Sequence, residues 1–313
     1  MGPPWIAIPA LIFGLWLMIF SSKKTIDNSA ILAAGFGISP LVIGIVIVAL
    51  GTDFPEIINS VVSSSLGHAD INIGDSLGSV LSQMTIMFGL LPFWGGSIAL
   101  KRREILVIGS CLVASLLFLY NIFETGVFTR TNALTLILLL ILFFVISSES
   151  AGIRDFENPD LEKAKQSKGI YVLLILVSLA GVGIGSYLVI NSVISLANAV
   201  KVPEFLISFF ILGIGTSLPE LFVTITAIHG KHFNLAIGNI LGSCLIDATF
   251  SIGIGQFLFP QPISADLAKN ITFYLIILSS VVVTLLGLRM KIDKKTGVFL
   301  IIAYFAAYIY FFH

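Results

Sequence analysis

Long apolar runs dominate this chain, and short polar clusters interrupt them at regular places. Runs over about 5–20, 103–122, 131–147, 170–190, 270–288 and 296–312 each read as one membrane-spanning helix, because a span needs roughly 20 predominantly apolar residues. Two longer runs, about 29–66 and 192–229, exceed one straight span and are broken by Gly, Pro and acidic residues, which predicts interrupted helices. Two further spans, about 73–95 and 237–258, each begin in a polar motif and bring the set to ten.

The polar clusters repeat. Gly51-Thr52-Asp53-Phe54-Pro55-Glu56 returns as Gly215-Thr216-Ser217-Leu218-Pro219-Glu220. Ile73-Gly74-Asp75-Ser76-Leu77-Gly78-Ser79 returns as Ile237-Gly238-Asn239-Ile240-Leu241-Gly242-Ser243. Both offsets are 164 residues (215 − 51 and 237 − 73). The chain therefore reads as two related halves, 1–147 and 170–313, joined by a polar stretch, 148–169, that predicts a cytoplasmic linker. Five is an odd number of spans, so consecutive halves must insert in opposite directions. The expected fold is an all-α polytopic membrane protein with ten transmembrane helices in two inverted five-helix repeats, a plan common among secondary transporters.

Composition agrees. Hydrophobic residues make up 57% of the 313 and charged residues 11%, whereas soluble domains carry about 25% charged. A net charge of zero gives nucleic acid no attraction. Cys111 and Cys244 both lie in apolar stretches, with no pairing or spacing that suggests zinc or a disulfide framework. The segment Met1–Trp5 has no basic region before its apolar run, so a first span is expected rather than a cleaved signal. Of the 17 Lys and Arg, only Arg130, Lys201 and Lys269 fall in even-numbered loops of the ten-span layout. The positive-inside rule then puts the odd loops in the cytoplasm and both termini outside, in a multi-pass protein of the cell membrane.

Five of the 17 acidic residues fall in the repeated apolar segments: Asp53, Glu56, Asp75, Glu220 and Asp247. A charge at mid-membrane depth costs at least ~2.5–3.5 kcal/mol, and no Lys or Arg lies in these motifs. Bound cations or protons remain as compensation. Asp75, Ser79 and Gln83 are spaced i, i+4, i+8, as are Asn239, Ser243 and Asp247, so each set lines one helix side. Pro55 and Pro219 remove backbone donors beside the glutamates. The carbonyls freed near Thr52 and Thr216 can then face a cavity, the one setting that tolerates irregular backbone at this depth. Together the donors are all oxygen or amide, which suits a hard cation, Ca2+ better than the reluctantly dehydrated Mg2+.

Plainer explanations stand beside these. Ser and Thr in membrane helices commonly bond their own i−4 carbonyl, which would account for Ser79 or Ser243 alone. Gly74, Gly78, Gly238 and Gly242 fit close helix packing. His68, His229 and His232 sit near span ends and His313 is terminal, all better placed for solvent than for ligation. An intramembrane aspartyl protease would use Asp53, Asp75 or Asp247, but it gives no reason for a repeated Pro-Glu. A passive channel needs a continuous pore, and interrupted helices in inverted repeats favour alternating access.

On these motifs the chain resembles the cation/Ca2+ exchanger superfamily, in particular prokaryotic members of its sodium/calcium exchanger branch. Gly215–Glu220 and Ile237–Asp247 fit the family pattern closely, and Gly51–Glu56 with Ile73–Gln83 fit it less closely. The resemblance implies that the second, third, seventh and eighth helices enclose the ions. It makes Glu56 and Glu220 the central Ca2+ ligands, also serving Na+, and gives Thr52 and Thr216 backbone carbonyl roles. Ser79, Ser217, Ser243 and Asp247 match further coordinating positions, and the first and sixth helices would slide across the rest. Three positions depart from the pattern: Asp53 stands for serine, Asp75 for the asparagine kept at Asn239, and Gln83 for asparagine. The candidate set thus holds five carboxylates where three are usual. The expected protein is no enzyme and uses no cofactor. It is a secondary antiporter exporting Ca2+ for Na+, or, alternatively, an H+/Ca2+ or other divalent-cation antiporter on the same fold. Its partners would be those ions and the lipid bilayer, with no obligate protein partner.

Overall fold

The computed structural model describes residues 4–35, 49–151, 168–200, 202–229 and 233–312. Most of the expected linker 148–169 and part of the run 29–66 lie outside the described residues. Helices α1 (Pro4–Gly35), α2 (Ala49–Thr52), α3 (Phe54–Ser65), α4 (Ala69–Gly95), α5 (Arg102–Thr125) and α6 (Arg130–Ala151) come first. They are followed by α7 (Lys168–Val200), α8 (204–216), α9 (Leu218–His229), α10 (233–258), α11 (Ala265–Arg289) and α12 (Lys294–Phe312). Among the described residues, seven stretches are long and apolar enough to cross a membrane, and Ile6–Ser21 and Arg130–Ile146 are shorter apolar helices. Some boundaries differ from expectation. α7 runs to Val200, so the run read as beginning at 192 starts its own helix only at Glu204, after Pro203.

Both interrupted helices break where the motifs predict. Asp53 (φ −79°, ψ 7°) separates α2 from α3, and Ser217 (φ −79°, ψ 6°) separates α8 from α9. Pro55 and Pro219 follow as second residues of α3 and α9, where a missing N–H costs nothing and a fixed φ favours helix. A second paired irregularity was not foreseen. α4 contains a π-helical turn at Gln83–Met87 and α10 one at Asp247–Ser251, positions again 164 residues apart. A third, Ser208–Leu212, lies within α8.

The apolar packing falls into two groups. α1 and α7 pack along most of their length around Leu11, Met18, Val189, Ile190, Val193 and Ile194. Their backbones approach closely: a β-carbon on Gly14 would stand 2.9 Å from the Gly185 carbonyl oxygen. A larger cluster joins α4, α5, α6, α10, α11 and α12 through residues such as Phe88, Leu112, Leu136, Ile252, Leu275 and Leu300. Large apolar side chains stay exposed on outer helix faces, among them Trp16, Ile141, Val177 and Ile302, as a lipid-facing surface requires.

Loops meet at two ends. At one, the two-residue strands β1 (Ile98–Ala99) and β2 (Lys291–Ile292) pair antiparallel, bringing the segment before Lys101 beside the turn after Arg289. At the other, His68 Nδ1 lies 2.8 Å from Glu204 Oε2, Asp70 accepts the Ser264 N–H at 2.7 Å, and Lys269 pairs with Glu124 at 3.2 Å.

Candidate cation site

Breaking α2 from α3 and α8 from α9 points both motif segments into the protein. Thr52, Asp53, Glu56, Asp75, Ser79, Gln83, Thr216, Ser217, Glu220, Ser243 and Asp247 are all at most 1% exposed, and Asn239 is 6% exposed. Each helix break therefore buries rather than exposes its carboxylate. Each proline nitrogen lacks the proton that an unbroken helix would direct to Gly51 or Gly215, one residue before the two threonines.

The side chains engage across helices. Thr216 Oγ1 donates to Asp75 Oδ1 at 2.9 Å, and Asn59 Nδ2 donates a short hydrogen bond to Asp75 Oδ2. Ser79 Oγ reaches Glu56 Oε1 at 3.4 Å and the Gly213 carbonyl at 3.3 Å. Ser79 thus bonds between helices, not to its own i−4 carbonyl. Thr216 and Ser217 do follow the i−4 pattern, towards Leu212 at 3.0 Å and Gly213 at 2.9 Å. Gln83 Nε2 donates to Asp247 Oδ2 at 2.9 Å, and its 3.5 Å contact with Ser217 Oγ bridges the halves. Asn239 turns towards α9, with Nδ2 3.5 Å from the Glu220 carbonyl and 3.3 Å from Thr224 Oγ1.

Several buried oxygens have no hydrogen-bond partner among the described residues: both of Asp53, both of Glu220, Oε2 of Glu56, Oδ1 of Asp247, and those of Ser243 and Asn239. Leaving one such group unmet costs about 1–3 kcal/mol, more when charged. The carboxylates are neighbours. Asp53 lies by Glu220 and Ser243, Glu56 by Asp75 and Asp53, and Asp247 faces Asp53, Glu56 and Asp75. Among the described residues, however, no three acidic, His or Cys side chains converge closely enough to hold a metal ion as they stand. The arrangement is an oxygen-lined interior whose carboxylates have no basic partner among the described residues. Chemically, one divalent or several monovalent cations would neutralise it.

All twelve candidate residues are buried, and the structure adds others to their hydrogen-bond network. Asn59 holds Asp75, and Ser186 on α7 donates to Asn59 Oδ1 at 3.3 Å. Ser82 joins Ser79 and Ser217 on the Gly213 carbonyl, at 3.2 Å. Asn59 could have been found as a polar residue three positions after Glu56, on the same helix face. Its counterpart 164 residues on is Val223, so a search for repeated residues passes over it. The glycine expectation is met at Gly74 and Gly78. A β-carbon on Gly74 or Gly78 would strike the α8 backbone at Phe205 or Phe209, whereas one on Gly238 meets nothing within 4 Å among the described residues.

Fold and interior together define a polytopic helical membrane protein built around buried, unpaired carboxylates. The chain belongs to the sodium/calcium exchanger protein family, whose model matches residues 6–148 and 170–313. That is a family of ion antiporters. The inner membrane protein YrbG of Escherichia coli is 27% identical, over 94% of this chain and 92% of its own length. Among solved structures, the sodium-calcium exchanger NCX_Mj soaked with Na+ and Sr2+ covers 98% of both chains at 23% identity, with TM-score 0.63. The H+/Ca2+ exchanger CAX covers 99% of this chain and 82% of its own at 16% identity, with TM-score 0.78. At these identities the two structures speak for the fold alone.

Proposed function

We propose that this protein is a secondary active antiporter that exports Ca2+ in exchange for Na+ by alternating access at a mid-membrane site. The observation that carries this reading is the burial of Glu56 and Glu220, one from each motif, in an interior with oxygen donors and no Lys or Arg partner among the described residues. Family membership supports it. Glu56, Glu220 and Asp247 would hold the cation, with Thr52, Thr216, Ser217, Ser79, Ser243, Asp53, Asp75, Gln83 and Asn239 completing or bracing its shell. Because these side chains do not yet converge, binding would close them on the ion, and occlusion would follow. An empty site of uncompensated carboxylates is costly to carry through an occluded state. Exchange is then obligatory, since only an occupied site switches. The close packing of α1 against α7 suits the sliding pair.

In this reading α1 to α6 form the first five-span repeat (1–147), 148–169 the cytoplasmic linker, and α7 to α12 the second (170–313). Paired helix breaks and π turns at one constant offset support two equivalent halves. The strand pair that joins the basic segments around Lys101 and Lys291 supports a common cytoplasmic end, with both termini outside the cell membrane.

A second reading, H+/Ca2+ exchange, is favoured by Asp53, an extra carboxylate with neither oxygen bonded. Uptake of 45Ca2+ into proteoliposomes under an imposed Na+ gradient, compared with an imposed pH gradient, decides between them. Uptake driven by the pH gradient alone sinks the sodium reading. Full exchange in both Glu56→Gln and Glu220→Gln sinks the site itself.

A further inference from the structure

Beyond the carboxylates, α3, α4 and the outer part of α10 enclose a row of buried neutral polar groups. Ser60 and Ser64 continue the face of Glu56 at i+4 and i+8. Ser60 Oγ accepts the Gly255 N–H at 3.0 Å, and a β-carbon on Gly255 would stand 2.5 Å from both serine hydroxyls. Asn72 Nδ2 donates to the Ile252 carbonyl at 3.3 Å, and Ser76 lies one turn further along α4, beside Asp75. Ser251 closes the π turn that begins at Asp247. Gln256 ends the row, accepting the N–H of half-buried Gln261 at 3.0 Å.

These six residues are at most 1% exposed. Yet Ser64 Oγ, Asn72 Oδ1, Ser76 Oγ, Ser251 Oγ and Gln256 Nε2 have no hydrogen-bond partner among the described residues. Packing alone gives no reason to gather five unmet polar groups, each costing about 1–3 kcal/mol. Water or an ion carrying water satisfies them. The row is also one-sided. The residues 164 positions away are Thr224 for Ser60, Ile228 for Ser64, Ala236 for Asn72, Ile240 for Ser76, Met87 for Ser251 and Pro92 for Gln256. Only the first of these counterparts is polar.

We propose that this row is a hydrated access route along which the transported cation, keeping part of its water shell, reaches the Glu56–Asp247 side of the site. It opens at the end where His68 meets Glu204, on the flank of α3 that faces α10. It rests on the exchange reading above. Neutral hydroxyl and amide oxygens replace shell waters without holding the ion tightly, so it passes rather than stays. At the opposite end the apolar counterparts replace no waters, so the two ends admit ions by different means.

Single cysteines at Ser64 and Ser251 test this in reconstituted protein, with a small charged methanethiosulfonate added to either side. Cys111 and Cys244 are buried, so the parent chain supplies the baseline. Ser279→Cys, at a buried serine on α11 outside the row, is the control. Both row cysteines should react from one side at least tenfold faster than Ser279→Cys, and saturating Ca2+ should slow that reaction. Labelling no faster than the control overturns the route, and labelling indifferent to Ca2+ overturns its use by the cation. The 45Ca2+ assay on unlabelled parent protein reads the exchange reading separately, so the two can fail independently. Ser76→Val should lower the exchange rate several-fold while leaving equilibrium Ca2+ affinity within twofold. An unchanged rate in folded Ser76→Val counts against the route.

Discussion

Gly78→Ala and Gly242→Ala change equivalent positions of the repeated motif, as do Gly74→Ala and Gly238→Ala, and the second pair exposes an asymmetry. Among the described residues a methyl on Gly238 meets nothing within 4 Å, whereas one on Gly74 would stand 2.5 Å from the Phe205 carbonyl oxygen and 3.0 Å from Ser208 Cβ. At Gly78 the clash is worse, involving the Phe209 carbonyl oxygen, with its carbon at 2.7 Å and Cα at 2.9 Å. The partner is backbone, so no rotamer change relieves it, and α4 must move from α8 by on the order of 1 Å in a close-packed interior. Gly213 makes the reciprocal approach, a β-carbon there standing 2.6 Å from Gly78 Cα. Overpacking of this kind costs about 1–3 kcal/mol or more. Ala in place of an open helical Gly returns up to ~1 kcal/mol. Gly78→Ala and Gly74→Ala should thus unfold at clearly lower temperature in detergent than the parent, while Gly238→Ala unfolds at the same or a higher temperature. Thermal unfolding followed by size-exclusion fluorescence reads the difference. Equal losses from Gly74→Ala and Gly238→Ala would refute the argument, because they would mean that motif identity, not local approach, sets the cost.

Other outcomes follow from the same geometry. Asp75→Asn should weaken apparent Ca2+ affinity about tenfold, the scale typical of outer-shell support, by turning one of the two oxygens that accept from Asn59 and Thr216 into an amide donor. Asn59→Asp combined with Asp75→Asn should recover most of it in the same uptake assay, and no recovery would make Asp75 a direct ligand. Glu220→Gln should cut exchange by about 100-fold or more while leaving the fold intact by size-exclusion. Asp293, between α11 and α12, is held below its ordinary value mainly by the Thr296 N–H, then by the Thr296 hydroxyl and by Arg289 and Lys291. A lowered carboxyl stabilises above its unfolded value of about 3.9 and loses that support as pH falls through its folded value. The turn should therefore stay protected at mildly acidic pH and loosen only below ~4, as measured by exchange of the Thr296 amide. Asp293→Asn should remove that acid step.

Much of the interior was legible before any packing was known. The helix breaks at Asp53 and Ser217 follow from Pro55 and Pro219 within apolar runs, and the five buried carboxylates stand out because nothing basic accompanies them. The π turns left no such mark, since Gln83–Met87 and Asp247–Ser251 contain no Gly or Pro to punctuate them. Recognition by repetition discards a residue such as Asn59, whose counterpart is Val223, and Ser186 lies outside the repeated motifs altogether. The glycine motif was read as equal packing in both halves, and only the approach of α8 to α4 separates Gly74 and Gly78 from Gly238.

By itself the sequence determined that this is a membrane protein, that its motifs come in pairs 164 residues apart, and that carboxylates lie where lipid would otherwise be. Those are properties of single segments, set by apolar length, charge and proline. Tertiary structure alone decided that Asp75 is held by Asn59 and Thr216, that Asp53 and Glu220 have no hydrogen-bond partner among the described residues, and that Ser60, Ser64, Asn72, Ser76, Ser251 and Gln256 gather in one buried row. Hydrogen bonds join residues up to 195 positions apart, and no periodicity within one segment reports which face its neighbour presents.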